Sequence, residues 1–392
     1  MTQPRTACAV ALVFLLVSVS ARAQDASSAR TSAGPRIAQK LRTYVEQNRT
    51  YQRLFEDDGV YPRLGGLSAG SGFAAGAGYR RHLRWVYLDG SATVSTKAYR
   101  GIDAEARWID AKGIRVSTVA TFRNDTQDDF YGVGPDVTDA DRVDFGIRWT
   151  DLDARASARL LSWLRVGVDA GYFMPSVRHG RDDLVRSIGQ VYTDVTAPGL
   201  ARQPDFAHQG VFAEIDSRDA EGFPTRGGFY RAAYSIWDDK TFNAYDFRRF
   251  EIDASHFVAI ARNDVVAMRL RLAYANNAPG EQIPFYMLPY IGGGDTIRSY
   301  REFRFRDENA GAFNVELRHR IHPLVHVAGF VDVGTVGHDW QDINPVGSGG
   351  EPKRAYGGGI RFGTTDRTLL RFDVACGGDD GTRYFLKFTP SF

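Results

Sequence analysis

The chain contains almost no cysteine. Cys8 and Cys376 are the only two among 392 residues. Cys8 lies in an N-terminal segment with the features of an export signal, so the processed chain would keep one thiol and could form no internal disulfide. Because small exported proteins often depend on such cross-links, this chain must gain its stability in another way.

Long apolar runs and net charge are also lacking. The only long apolar run, residues 9–17, is shorter than the ~20 residues of a transmembrane helix. The 49 basic residues nearly balance the 47 acidic ones, which gives no electrostatic reason to expect nucleic acid as a partner. The 41 glycines and 12% aromatic residues also differ from the composition of a disordered chain.

The N-terminus predicts export. Arg5 precedes the apolar run 9–17, and Ala21-Arg22-Ala23 then resembles a signal peptidase site. We expect a cleaved signal peptide over residues 1–23. Residues 24–62 form an N-terminal extension whose apolar residues recur at three- and four-residue steps, which predicts one short amphipathic helix. This extension is too short to be a globular domain, and its helix could pack inside the domain formed by residues 63–392 or lie in the periplasm.

From residue 63 onward the sequence alternates between apolar and polar residues. Leu164, Val166 and Val168 share one face of an extended chain, while Arg165 and Asp169 share the other. Similar segments recur to the C-terminus. A soluble β-sandwich would alternate in the same way, so the pattern alone leaves two folds open.

Three further features favour a membrane barrel. The alternating segments approach the ~9 to 11 residues of a tilted transmembrane strand, short and long connections alternate, and no cross-links stabilise the exported chain. We therefore predict an all-β fold, a single transmembrane antiparallel β-barrel of about 16 strands over residues 63–392. The predicted strands begin near Leu64, Phe73, Trp85, Tyr99, Ile114, Arg142, Leu164, Gln209, Gly228, Phe247, Val265, Ala310, Val325, Arg354, Leu369 and Thr382.

The sequence shows no convincing catalytic or metal-binding motif. Residues 66–70 fit the nucleophile-elbow pattern Gly-x-Ser-x-Gly, but no helical pattern comes after them, as that motif requires. His319, His322 and His326 fall on different sides of the predicted strand frame and could not bind one ion together. We therefore predict that the protein is not an enzyme and has no catalytic residues, no cofactor and no metal ion.

The predicted connection between the eleventh and twelfth strands carries a family resemblance. Its residues Pro284-Phe285, Gly292-Gly293-Gly294 and Ile297-Arg298-Ser299-Tyr300 resemble the sixth outer loop of outer-membrane protein assembly factors of BamA and TamA type, also called bacterial surface antigen barrels. Further resembling segments are 216–219, 223–227, 316–318, 330–334, 356–361 and 370–374.

The resemblance implies that this long outer loop folds into the barrel and is held there as a latch. Arg298 would be its cation, supported by Gly293, Gly294 and Tyr300. In the barrel wall, the partners would be Asp332 and Glu316. The alternative is that Arg298 is a solvated loop residue.

One residue departs from the family pattern. The family has glycine after the arginine, whereas this chain has Ser299. If the position required a left-handed backbone, serine would cost roughly 1 kcal/mol.

The two ends of the barrel carry further predictions. Tyr384, Leu386, Phe388 and Phe392 resemble the C-terminal signal by which the barrel assembly machinery recognises its substrates, although a lipid-facing closing strand would look the same. The glycine-rich first strand, expected over residues 64–70, would close the barrel against the last strand. A weak seam there suits a lateral gate, but a passive pore would tolerate it equally.

The resemblance implies an outer-membrane protein that assists the insertion or translocation of other proteins. Its expected partners are outer-membrane lipid and lipopolysaccharide, the barrel assembly machinery for its own insertion, and client proteins. Since residues 24–62 are too short for a polypeptide-transport-associated (POTRA) domain, a separate periplasmic partner could receive clients. The alternatives are a passive or loop-gated pore for small solutes and a surface-exposed barrel anchor.

Overall fold

The computed structural model describes residues 58–388 except 66, 69, 112, 344–350 and 364–367. None of the helices in this part of the chain is long and apolar enough to cross a membrane. The first strands are β1 (Gly59–Gly65), β2 (Ala74–His82), β3 (Val86–Ser95), β4 (Arg100–Ala111), β5 (Ile114–Phe130), β6 (Val143–Leu161), β7 (Leu164–His179), β8 (Phe206–Asp216) and β9 (Gly227–Asp239). The remaining strands are β10 (Phe247–Ala259), β11 (Asp264–Asn277), β12 (Tyr290–Ile291), β13 (Phe305–Arg306), β14 (Asn309–His322), β15 (Val325–Gly337), β16 (Lys353–Gly363), β17 (Thr368–Cys376) and β18 (Arg383–Lys387). Short 3-10 helices are Asp139–Asp141, Ile188–Gln190 and Phe285–Met287.

Sixteen of these strands form one antiparallel sheet, in which each strand pairs with the next along the chain. Only β12 and β13 lie outside it, as a separate two-stranded sheet within the connection between β11 and β14. The sheet curves into a nearly closed barrel. In the described residues, β1 and β18 form no ladder with each other, although Phe388 lies beside Gly65. The predicted all-β barrel of about 16 strands is confirmed.

The alternation of side chains gives the wall two chemically different faces. Large apolar side chains point outward and are exposed, as Val168, Val211 and Val331 show, each with more than half of its surface accessible. Charged residues occupy the alternate positions and face the lumen. A bilayer demands this arrangement, because a closed barrel satisfies every backbone group while only apolar side chains meet lipid.

The two ends of the barrel differ. Among the described residues, connections 83–85, 162–163, 217–226, 260–263 and 323–324 lie at one end, called here the short-turn end. The opposite end, the long-loop end, carries the longest connections, including 180–205 and 278–308. At the long-loop end, Phe285 packs against Phe130 and Phe145 with ring centroids 4.9 and 5.0 Å apart. An apolar core thus fills that end of the barrel.

Turn 217–226 folds over the short-turn end. The ring of Phe223 stacks on His326, an inward residue of β15, with centroids 4.4 Å apart. The carbonyl oxygen of Gly222 accepts a hydrogen bond from Thr368 of β17 at 3.2 Å. This turn therefore reaches from β8 and β9 to the far side of the barrel.

The structure corrects the position of the first strand. β1 begins at Gly59, ahead of the expected start at residue 63, and the glycine-rich residues after Gly65 belong to the connection to β2. The prediction of a strand over 64–70 was wrong because the edge strand contains Pro62, and proline in a strand is tolerated only at such an edge. The sixth strand, predicted to begin near Arg142, is β6 and begins at Val143. The predicted signal peptide (1–23) and most of the extension (24–62) lie outside the described residues.

The two faces of the wall can be tested at adjacent positions. Ala120 of β5 faces outward, whereas Thr121 faces the lumen between its cross-strand neighbours Asp103 and Asp151. We expect Ala120→Arg to lower the free energy of unfolding in lipid by roughly 2 to 4 kcal/mol. Thr121→Arg should change it by less than about 1 kcal/mol. Equal effects in guanidinium titrations of vesicle-inserted protein would contradict the assignment of faces.

Candidate functional site: the loop folded into the barrel

The long loop, residues 278–308, joins β11 to β14 and enters the barrel from the long-loop end. Its stem is the two-residue pairing of β12 with β13. Gly292 and Gly293 then take φ values of +118° and +87°, a region that other residues rarely adopt. The hydroxyl of Thr296 accepts a hydrogen bond from the Gly292 N–H and donates to its carbonyl, both at 2.8 Å. The tip of the loop is thereby held as a compact turn.

An apolar face fixes the loop against the wall. Ile291, Ile297, Tyr300 and Phe305 are buried on the loop side. They pack against residues of β14, β15 and β16 that are mostly small, namely Ala310, Ala312, Val336 and Ala355. Small wall residues allow the loop to approach closely, so burial of the apolar face also positions the polar one.

Arg298 lies at the centre of the polar face and is only 2% exposed. Its Nε and Nη2 donate to the two carboxylate oxygens of Asp332 at 2.9 and 2.7 Å, in the bidentate geometry that suits a guanidinium. Its Nη1 donates to Glu316 at 3.1 Å and lies 3.6 Å from Asp373. The guanidinium also stacks on the ring of Phe330 at 3.4 Å, which adds a cation–π attraction.

The carboxylates around Arg298 are shared with arginines of the wall. Glu316 of β14 lies 3.0 Å from both Arg318 and Arg361. Asp373 of β17 contacts Arg361 and lies 3.4 Å from Arg371. These charged residues are all at most 5% exposed. Together with Arg298 and Asp332, they form one buried ionic network that crosses four strands.

A glycine makes room for this network in β16. A Cβ atom placed at Gly359 would lie 2.1 Å from an Asp373 oxygen and 2.5 Å from Arg361 Nη1. Such distances are far below van der Waals contact, so only glycine leaves room for the Asp373–Arg361 pair. This gives a physical reason for glycine at position 359.

The loop tip also contacts the last strand. Asp295 lies 2.8 Å from Lys387 Nζ of β18 and 3.4 Å from Arg371. A Cβ atom at Gly294 would lie 2.7 Å from Lys387 and 3.0 Å from Phe385. Near the other side of the tip, the Arg301 N–H donates to Asp380, in the connection before β18, at 2.8 Å. The docked loop is therefore bound to the strand at the barrel seam.

The pKa shifts of the loop residues reflect their burial and their partners. Burial opposes the charge of Arg298, but Asp332, Glu316 and Asp373 outweigh it and raise the pKa of the guanidinium. Burial likewise acts against the charge of Asp295, yet Lys387 and Arg371 hold its pKa below the usual value. Burial raises the pKa of Glu302 more than Lys387 and Arg383 lower it. The tip is therefore held mainly by ion pairs that stay charged at neutral pH.

Ser299 needs no special backbone here. Its φ is not positive, so the cost of a left-handed serine does not arise. The side chain is fully buried, and its hydroxyl donates to the Arg354 carbonyl at 3.1 Å. A Cβ atom at Gly378 would lie 2.7 Å from this hydroxyl. The extra atoms of Ser299 are thus accommodated in the connection between β17 and β18.

The structure brings together the loop and wall residues singled out from the sequence. Arg298, Asp332 and Glu316 meet in the lumen, so Arg298 is not a solvated loop residue. Gly293, Gly294 and Tyr300 shape and pack the tip. Their role as a latch stays a prediction.

The residues of the C-terminal signal lie apart from the loop site. Tyr384 and Leu386 face outward and are well exposed. Phe388 contacts Phe73 and Gly65 near the seam, and Phe392 lies outside the described residues. A role in recognition by the assembly machinery stays a prediction.

The sequence interpretation missed several members of the network. No role was assigned to Asp373, Arg361 and Arg371. Phe372, which lies between Arg371 and Asp373, is an apolar residue that faces outward. Alternation around Phe372 would have placed Arg371 and Asp373 in the lumen. The contact with Arg298, however, depends on the register between strands and could not be read from one strand alone.

A family model described as the Omp85 superfamily domain matches residues 189–389, which is more than half of the 392 residues. The protein belongs to the Omp85 superfamily. This confirms the resemblance to assembly factors of BamA and TamA type. The matched segment contains the long loop and every wall residue of its ionic network. Omp85 barrels are outer-membrane proteins.

Solved structures show the same fold as this Omp85 barrel. The crystal structure of BamA from Haemophilus ducreyi lacking POTRA domains 1-3 has a TM-score of 0.61 and 14% identity, covering 85% of this chain and 70% of that one. CdiB from Escherichia coli has a TM-score of 0.53 and 11% identity, covering 84% of this chain and 59% of its own. At such low identity, the likeness establishes the architecture.

The ionic network predicts the effect of removing its central cation. In the described residues, Asp332 has no other ion-pair partner than Arg298. Arg298→Ala would leave that buried carboxylate uncompensated and should lower the free energy of unfolding by roughly 3 to 5 kcal/mol. Arg298→Lys should cost less, because it keeps the charge and loses the bidentate geometry.

Guanidinium titrations followed by tryptophan fluorescence would measure these changes, with protease cleavage of the long loop as a local readout. Arg262→Ala, in the exposed turn between β10 and β11, is the matched control. If Arg298→Ala were no more destabilising than this control, the network would not hold the loop.

Proposed function

We propose that this Omp85 barrel assists the insertion or translocation of proteins at the outer membrane, using the seam between β1 and β18 as a lateral opening. The observation that supports this most directly is the missing ladder between those strands in the described part of the chain. Every other neighbouring pair of the sixteen-stranded sheet is hydrogen-bonded.

The strands at the seam are also the shortest of the wall. β1 has seven residues and β18 has five, whereas the strands between them have nine to nineteen. Pro62 removes one backbone donor from β1. Few bonds would therefore have to break for the strands to separate, and both would then offer free backbone groups. An extended client segment could pair with such an edge by strand addition.

The loop site would control this opening. Asp295 and Lys387 join the loop tip to β18, and Arg298 anchors the same tip to β14 and β15. Docking of the loop and the position of the last strand are therefore coupled through direct contacts. The resemblance to BamA supports the same type of activity, and an export signal would bring the chain to the outer membrane.

Site-specific photocrosslinking tests the proposed opening. Benzoylphenylalanine at Leu64 of β1 or Leu386 of β18 would face outward at the seam, since both side chains are more than half exposed. With an unfolded outer-membrane barrel polypeptide as probe, we expect adducts at both positions in reconstituted vesicles. The matched control is Val211 of β8, equally outward but distant from the seam. Absence of adducts at the seam, or equal yields at Val211, would contradict the proposal.

Conductance separates this function from that of a passive pore. The apolar core and the docked loop fill the long-loop end, so we expect little steady conductance from the wild type in planar bilayers. Arg298→Ala should increase the frequency and size of openings because it releases the loop tip, whereas Arg262→Ala should not. Large steady conductance in the wild type would instead favour a solute pore.

A further inference from the structure

A second cluster of polar groups lies on the lumen face of β6, β7 and β8, away from the loop site. Asp153, Asp169 and His208 come from these three neighbouring strands. One donor atom from each lies within 4.8 Å of the other two. Strand pairing creates this proximity, since Asp153 and His208 both stand opposite Gly171.

Two glycines allow these side chains to lean together across the strands. A Cβ atom at Gly171 would lie 2.4 Å from Nε2 of His208, and one at Gly210 would lie 2.9 Å from an Asp169 oxygen. The Nε2 edge of the imidazole thus lies over β7 and points toward β6. Any larger residue at these positions would push the donor groups apart.

The histidine is held in place from two directions. Its ring stacks on Trp237 with centroids 4.5 Å apart, and the residue is only 7% exposed. Nε2 lies 3.1 Å from an Asp151 oxygen. His208 is therefore preoriented, and Asp151 adds a third carboxylate beside the cluster.

The carboxylates of this cluster lack the arginine partners found elsewhere in the lumen. Other inward acids pair with arginine, as in Asp103–Arg123, Glu214–Arg231 and Asp253–Arg269. Neither the Asp153 nor the Asp169 carboxylate forms a hydrogen bond or an ion pair in the part of the chain that the structure describes.

Arg155, opposite Asp169 in the pairing of β6 with β7, compensates this charge only in part, since it forms no ion pair with either carboxylate in the described residues. Its guanidinium is turned onto the Phe212 ring, at 5.3 Å. Asp151, Asp153 and Asp169 thus place three carboxylates beside one imidazole, in a position where a dication would meet several negative charges.

We propose that Asp153, Asp169 and His208 bind one divalent transition-metal ion such as Zn²⁺ or Mn²⁺. The mixture of imidazole nitrogen and carboxylate oxygens suits these ions, whereas Ca²⁺ and Mg²⁺ prefer sites built from oxygen alone. The bound ion would link β6, β7 and β8 next to Trp237. The sequence predicted no metal ion, because these ligands are far apart in the chain.

Titration of the purified, detergent-folded full chain without a histidine tag tests this site. After treatment with EDTA and dialysis, isothermal calorimetry with ZnCl₂ and with MnCl₂ should show one equivalent bound for at least one of the metals. Asp169→Asn and His208→Gln should each weaken binding about ten- to a hundredfold. His319→Gln, which removes a histidine paired with Asp264 at the short-turn end, should leave it unchanged.

A second readout covers variants that fold poorly. Wild-type protein titrated with CoCl₂ should develop visible ligand-field absorption, and Asp153→Asn, which removes a group without hydrogen bonds, should reduce it. Absence of stoichiometric binding in the wild type would overturn the proposal. So would binding that His208→Gln and Asp169→Asn leave intact, since the ion would then be adventitious.

Discussion

The bidentate ion pair between Arg298 and Asp332 is the interaction on which the interior of this barrel depends. A guanidinium removed from water must be fully paired, because an uncompensated buried charge costs several kcal/mol. That requirement explains why β14, β15 and β17 all direct acids to one point and why further arginines balance them. It also explains the position of the loop, since Arg298 meets two carboxylates and an aromatic face there.

Most of the architecture could be predicted from the sequence because lipid and water impose a two-residue period on every strand. The starts of β5, β7, β10 and β15 agree with the predicted positions to the residue. The first strand was misplaced because its alternating pattern is short and interrupted by Pro62.

In the loop site, the family resemblance predicted the partners of Arg298, whereas Arg361, Arg371 and Asp373 were missed. These three residues come together through the register of three strands and the space left by Gly359. The alternation of apolar and polar residues along one strand encodes neither.

The lumen is divided into regions with different chemistry. Apolar side chains from the long connections fill one end, so that the loops cover the barrel as a small hydrophobic core would. Below this core, the β14–β17 wall carries the buried ionic network, whereas on the β6–β8 wall Asp153 and Asp169 form no ion pair in the described residues.

The unequal lengths of the strands have a consequence for the surrounding membrane. At about 3.3 Å per residue, the seven residues of β1 and the five of β18 extend only about 23 and 17 Å. β5, β6 and β7, with 16 to 19 residues, rise far above the ~25 Å apolar band of such barrels. In the described residues the wall is therefore shortest at the seam, and lipid that matches it elsewhere would be mismatched there. Such a mismatch would favour a thinner bilayer beside the two short strands.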